Sequence, residues 1–141
     1  MGNCYNSTTI NASIDQVWEM IKNFHRLDWA APVVVKVDLV GDLPGSQVGA
    51  KRILNDAFHE TLLSVDSVNY RMSYSIDDGP GPTAKGEVTN YIGRVELFPV
   101  TDTGDTFVKW TSEFDSADEA QVADFCNPIY SGLLAALKTR F

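Results

Sequence analysis

Arg52 and Glu60 are the residues of this chain best placed to do chemistry. In the run from Val48 to Asn55, strand alternation groups Ala50, Arg52 and Leu54 on one face. The same parity in the next run groups Phe58, Glu60 and Leu62, and the run after it lines up Tyr70, Met72, Tyr74 and Ile76. One cation and one anion therefore fall on consecutive predicted strands, on an apolar and aromatic face. Buried unpaired charge costs several kcal/mol, so the two are expected to pair, and such pairs often mark a working cavity. A slip of one residue in parity would instead turn both to solvent.

Two roles are open to the pair. Glu60 can take a proton from a bound molecule while Arg52 holds an anionic group beside it, which requires reach and a pKa near working pH. Burial raises a glutamate's pKa and a neighbouring arginine lowers it, so the sequence does not sign the sum. The other role is a structural ion pair. Tyr70, Tyr74 and Tyr91 are phenols that either hydrogen-bond a ligand or pack in the core. Val108, Trp110 and Phe114 read as wall. His25 and His59 lack a third ligand at metal-binding spacing, so neither a metal nor a cofactor is expected, and His59 has the parity opposite to Glu60. No nucleophile elbow is present, and GDLPGSQVG lacks the Lys-Ser/Thr ending of a phosphate loop.

Composition narrows the partners. With 141 residues the chain fits one domain, residues 1–141, and its net charge is −8 with only 11 scattered Lys and Arg. Nucleic acid and anionic membrane surfaces both call for basic patches, so neither is an expected partner. No run approaches the roughly 20 apolar residues of a membrane span, and no signal-peptide pattern is seen. Gly2 beside Cys4 hints at acylation, but Asn6 stands where a myristoylation signal has Ser or Thr, so no membrane anchoring is expected. Cys4 and Cys126 read as reduced thiols of a cytoplasmic protein.

The elements that must position the pair follow from period and punctuation. Residues 4–10 form a first strand. Ser13 with Gln16 makes a capping box, and Ile14, Val17, Trp18, Ile21 and Phe24 repeat at helical spacing. Residues 25–32 form a second short helix or loop, closed by Pro32. From Val33 the period is two, with Val33, Val35, Val37 and Leu39 on one face. Further strands are expected near 48–55, 58–66, 69–77, 85–98 and 106–114. A helical stretch over 117–140 closes the chain, with a kink or a fresh start at Asn127-Pro128 and an apolar stripe of Ile129, Leu133, Ala136 and Leu137. Short turns between consecutive strands call for an antiparallel sheet.

This order, one strand, two helices, six strands and a helix, resembles the START/polyketide cyclase-dehydrase superfamily. Local phrases carry the resemblance: Ala12 to Trp18, Phe24 to Trp29 with Pro32, Gly49 to Arg52, Glu60 to Asp66, Met72 to Ile76, Tyr91 to Val95 with Pro99-Val100, and Val108 to Trp110. They span nearly the whole chain. The pattern is most similar to the type 2 polyketide cyclase branch that includes lachrymatory-factor synthase. The resemblance implies an α+β helix-grip fold, in which a curved six- to seven-stranded antiparallel sheet wraps a long C-terminal helix, with two short helices after strand 1. It implies a cavity for a small hydrophobic ligand, an inward Arg52 and Glu60 as catalytic candidates, and Tyr74 and Tyr91 as cavity tyrosines. Leu62, Trp110 and Leu133 are expected along its wall, and Leu27, Trp29 and Pro32 at its mouth. The expected function is binding of a small hydrophobic or amphipathic molecule by a monomer or homodimer, with a lyase- or isomerase-like reaction as the alternative. Where many relatives have a polar residue after the entrance tryptophan, this chain has Ala30-Ala31.

Overall fold

The computed structural model describes residues 1–141. Seven antiparallel strands form one sheet: β1 (Gly2–Ile10), β2 (Val37–Val40), β3 (Lys51–Leu54), β4 (Phe58–Asp66), β5 (Arg71–Asp78), β6 (Val88–Pro99) and β7 (Thr106–Ser116). Their spatial order is β1-β7-β6-β5-β4-β3-β2, so only the β1–β7 neighbours are distant in sequence. Helix α1 (Ile14–Ile21) follows β1, a 3-10 turn covers Asp28–Ala30, and the long helix α2 (Glu119–Lys138) ends the chain. The sheet grips α2, which packs chiefly on β1 and β7. This is the expected α+β helix-grip architecture.

Local chemistry explains the ends of these elements. Ser13 accepts from the Gln16 backbone and Gln16 reaches back to the Ser13 backbone, closing the capping box of α1. In β7 the buried positions Thr106, Val108, Trp110, Ser112 and Phe114 alternate without a break. In β6 a bulge between Thr89 and Ile92, with Asn90 left-handed at φ 54°, resets the alternation so that Val88 and Tyr91 both face inward.

Three expectations need correction. The period-two run from Val33 is not all strand. Val33 to Lys36 is loop, because the Asn55 side chain takes its backbone groups: it donates to the Val33 carbonyl and accepts from the Val35 and Lys36 amides. Strand β2 therefore starts only at Val37, and Val35 and Leu39 are 77% and 61% exposed on this edge. Second, α2 neither breaks nor restarts at Asn127-Pro128. It runs through, and the carbonyl that Pro128 leaves without a donor belongs to exposed Asp124. Third, Tyr70 is not in β5 but in the preceding turn at φ 57°, where its hydroxyl donates to Asp15 at 2.6 Å. Its ring packs at the edge of the core, edge-on to Trp18 at 6.0 Å between centroids, and does not line the inner pocket.

Gly93 of β6 lies opposite Tyr74 of β5, and the Tyr74 ring rests directly on its backbone. A Cβ at this place would run into the ring and hydroxyl of Tyr74. Gly93→Ala is therefore expected to lift Tyr74 from the sheet and destabilise the protein by about 1–3 kcal/mol in urea unfolding, the range of core overpacking. An unchanged unfolding midpoint would show that the ring has room to move.

Candidate functional site

Arg52 and Glu60 are directly paired residues of β3 and β4. Cross-strand partners point to the same side of a sheet, so register alone brings the two side chains together. Arg52 Nε donates to Glu60 Oε1 at 2.8 Å, and its Nη2 lies 2.7 Å from the same oxygen. Arg52 Nη1 donates to the Phe24 carbonyl at 2.6 Å, and the guanidinium carbon sits 3.7 Å from the centre of the Phe24 ring. Both side chains are nearly inaccessible, each residue being 6% exposed. The charged pair is thus buried, compensated and pinned to the segment that follows α1.

Burial pushes the Glu60 carboxyl above its ordinary range, and the attraction of Arg52 only partly offsets this. Asp77 adds to the rise. Of the opposing effects that the sequence left unsigned, burial is the larger, so the Glu60 carboxyl holds its proton more tightly than a free glutamate does.

A second polar group lies deeper. Trp110 Nε1 donates to the Tyr74 hydroxyl at 2.9 Å, which in turn donates to the Tyr130 hydroxyl at 3.4 Å. Tyr91 donates to Ser112 Oγ at 3.1 Å and is in short contact with the Tyr130 hydroxyl. Burial raises the pKa of all three phenols, so they stay neutral and act as hydrogen-bonding groups. No buried side-chain nitrogen or oxygen of the protein lacks a partner.

Between sheet, α1, the 3-10 turn and α2 lies a mostly apolar pocket. Arg52, Tyr74 and Trp110 line it together with Leu27 and Trp29 from the turn, and Met72, Val108 and Leu137 add apolar wall. Its free volume is about 20 Å³, room for roughly one water molecule. Glu60, Leu62, Tyr91 and Leu133 are buried but do not line it, and Pro32 is exposed to one side. Glu60 instead lines, with Arg52, a separate cleft of about 210 Å³ whose other walls include Lys51, His59 and Asp77. By alternation those three belong to the convex face of the sheet. Arg52 thus borders both the inner pocket and the outer cleft, and Glu60 borders only the latter.

Sequence reasoning missed Tyr130, Ser112 and the role of Phe24. Tyr130 was findable: Cys126, Tyr130, Leu133 and Leu137 repeat at helical spacing once α2 is read as continuous, and all four are buried. Ser112 shares the parity of Val108, Trp110 and Phe114. Nothing in the sequence marks a backbone carbonyl as the third partner of Arg52.

This curved sheet gripping one long helix, with an apolar pocket and a buried polar group between them, defines the helix-grip class. The chain belongs to the polyketide cyclase / dehydrase and lipid transport family, which it matches over residues 1–141. A protein of Nitrosospira multiformis is 38% identical, covers 99% of this chain and 95% of its own, and superposes with a TM-score of 0.96. XoxI from Bacillus cereus is 26% identical with a TM-score of 0.82, over 100% of this chain and 96% of that one. Norcoclaurine synthase from Thalictrum flavum, in complex with dopamine and hydroxybenzaldehyde, shares the fold at 16% identity and a TM-score of 0.73, over 97% of this chain and 84% of that one. No match was found among curated proteins.

The raised Glu60 carboxyl has a signed consequence for stability. A carboxyl that binds its proton more tightly folded than unfolded stabilises the fold below its ordinary value of 4.5, and this contribution is lost as the pH rises through the raised value. Glu60→Gln mimics the protonated form. From about pH 4 to about pH 8, the stability of the natural protein relative to Glu60→Gln is expected to fall, measured by urea unfolding at each pH. A relative gain with rising pH would mean that Arg52 outweighs burial.

Proposed function

We propose that this protein binds a small hydrophobic or amphipathic molecule in the inner pocket, with the apolar body against Leu27, Trp29, Val108 and Leu137 and the polar end on Arg52. The observation that carries this reading is a buried, pre-positioned guanidinium in an otherwise mostly apolar pocket lined by Tyr74 and Trp110. Apolar walls with a few convergent polar groups are what small-ligand sites share. Family membership supports the same reading. At about 20 Å³ the pocket must widen to admit a ligand, and the walls that can yield without disturbing the sheet are Leu27 and Trp29 on the 3-10 turn.

An acid–base reaction of lyase or isomerase type is the second reading. The raised proton affinity of Glu60 favours it, since a general acid or base works best with a pKa near the working pH. The position of Glu60 outside the pocket wall weighs against direct proton abstraction from a ligand. Arg52, Tyr74, Trp110 and Trp29 are therefore the contact residues of this reading, with Glu60 fixing Arg52. Leu62, Tyr91 and Leu133 support the wall from behind.

Trp29 and Trp110 are reporters inside the pocket, while Trp18 hydrogen-bonds Ser67 outside it. In a Trp18→Phe variant, octanol is expected to change tryptophan emission saturably, and native mass spectrometry of the purified natural protein should show a retained small molecule. The absence of both would contradict ligand binding. For the second reading, turnover of an identified substrate should drop by about 10²-fold or more in Glu60→Gln.

A further inference from the structure

The polar contacts that hold Arg52 leave it with unused donors but no unused charge. A guanidinium carries five N–H groups. Nε and Nη2 engage Glu60, Nη1 engages the Phe24 carbonyl, and one N–H on each terminal nitrogen is left over. The positive charge of Arg52 is meanwhile balanced by Glu60. An anion docking from the inner pocket would place two negative charges on one buried cation. In a low-dielectric interior that arrangement is strongly unfavourable, and it is relieved when one of the two acids takes a proton.

The other charges around Glu60 offer no second cation to relieve it. From β3 comes Arg52 itself, while Lys51 turns to the opposite face and donates to Thr61. From β5 come Asp77, an anion, and Tyr74, a neutral phenol. From α2 comes the Cys126 thiol, which burial keeps protonated. His59, next in β4, lies on the convex face. Arg26 reaches the inner pocket from the turn after α1, but its Nε is bound to Asp28 at 2.9 Å. Glu60 is the acid able to respond. It is absent from the inner pocket and borders the outer cleft, whose walls include exposed His59 and Asp77.

We propose that the site takes up an anion-headed amphiphile together with a proton, the head on the free N–H groups of Arg52 and the proton on Glu60. The one bond that forms is the carboxyl O–H of Glu60, its proton given up by a solvent hydronium that leaves as water, and Arg52 then pairs its charge with the ligand instead of with Glu60. The ligand class is then a weak monocarboxylic acid with a short apolar body. This rests on the reading that the inner pocket binds a ligand at all, and it deepens that reading.

Octanoate and octanol form the matched probe pair. Above neutral pH octanoate is fully ionised, so any proton taken up goes to the protein. Calorimetric titration of the natural protein in phosphate and in Tris, whose ionisation heats differ, is expected to show uptake of up to one proton per octanoate and none with octanol. Octanoate affinity should fall by up to about tenfold per pH unit as the pH rises, as a one-proton linkage requires. Glu60→Gln should flatten that dependence and bind octanoate more tightly than the natural protein at alkaline pH, an outcome that a purely structural role of Glu60 would not produce. Octanoate binding with equal heats in both buffers overturns the inference, as does weaker octanoate binding by Glu60→Gln at every pH. Should octanol bind and octanoate not, the inference fails while the pocket reading stands. Should neither bind, the pocket reading itself has failed.

Discussion

A charge pair buried between sheet and helix constrains everything around it. Arg52 and Glu60 are opposite one another in the β3–β4 ladder, and each alone would be an uncompensated ion in an apolar interior. Beyond their mutual contacts, the Phe24 carbonyl supplies one further acceptor for Arg52. That single bond ties the far end of the α1 segment to β3. The Gly45 carbonyl accepting from the Phe24 amide and His25 on the Lys51 carbonyl reinforce the same tie. Leu27 and Trp29, which wall the pocket, hang directly from this anchored segment. The pair therefore fixes both the polar end of the pocket and the height of its mouth.

The opposite side of the interior depends on α2 being one helix. Only an unbroken α2 brings Cys126, Tyr130, Leu133 and Leu137 onto one face, so that Leu137 closes the inner pocket while Tyr130 meets Tyr74 and Tyr91 further along. Asn127 contributes by accepting from Asn6 of β1 at 2.9 Å, directly beside Pro128. Arg140, just past the end of α2, donates to the Asp28 and Trp29 carbonyls and so holds the middle of the turn whose ends are held by the sheet. Sheet, turn and helix thus meet at the pocket.

Much of this was legible from period and residue type. Alternation in β3, in the first half of β4 and in β7 put Arg52, Glu60 and Trp110 inward, and the Ser13–Gln16 pair announced the start of α1. What escaped has a common cause, namely side chains or backbone acting against the local pattern. Asn55 captures the backbone of Val33 to Lys36 across twenty residues of sequence, so a perfect period-two run is not strand. Bulges in β4 after Leu62 and in β6 after Thr89 shift register without a residue that signals them. Pro128 suggested a break that an exposed carbonyl makes unnecessary, and that reading hid Tyr130. That Arg52 borders both the inner pocket and the outer cleft while Glu60 borders only the latter is a matter of three-dimensional placement, which alternation on one face does not reveal.

The account stands on Arg52 and Glu60 acting as one compensated unit, and a double-variant cycle measures this most directly. Arg52→Met, Glu60→Met and the double variant would be compared with the natural protein by urea unfolding. Each single change is expected to cost about 3–5 kcal/mol, because it strands a buried charge. The double variant should cost no more than the worse single one, since two apolar side chains then replace a satisfied pair. Costs that simply add would contradict the account and mean that the two charges are held independently.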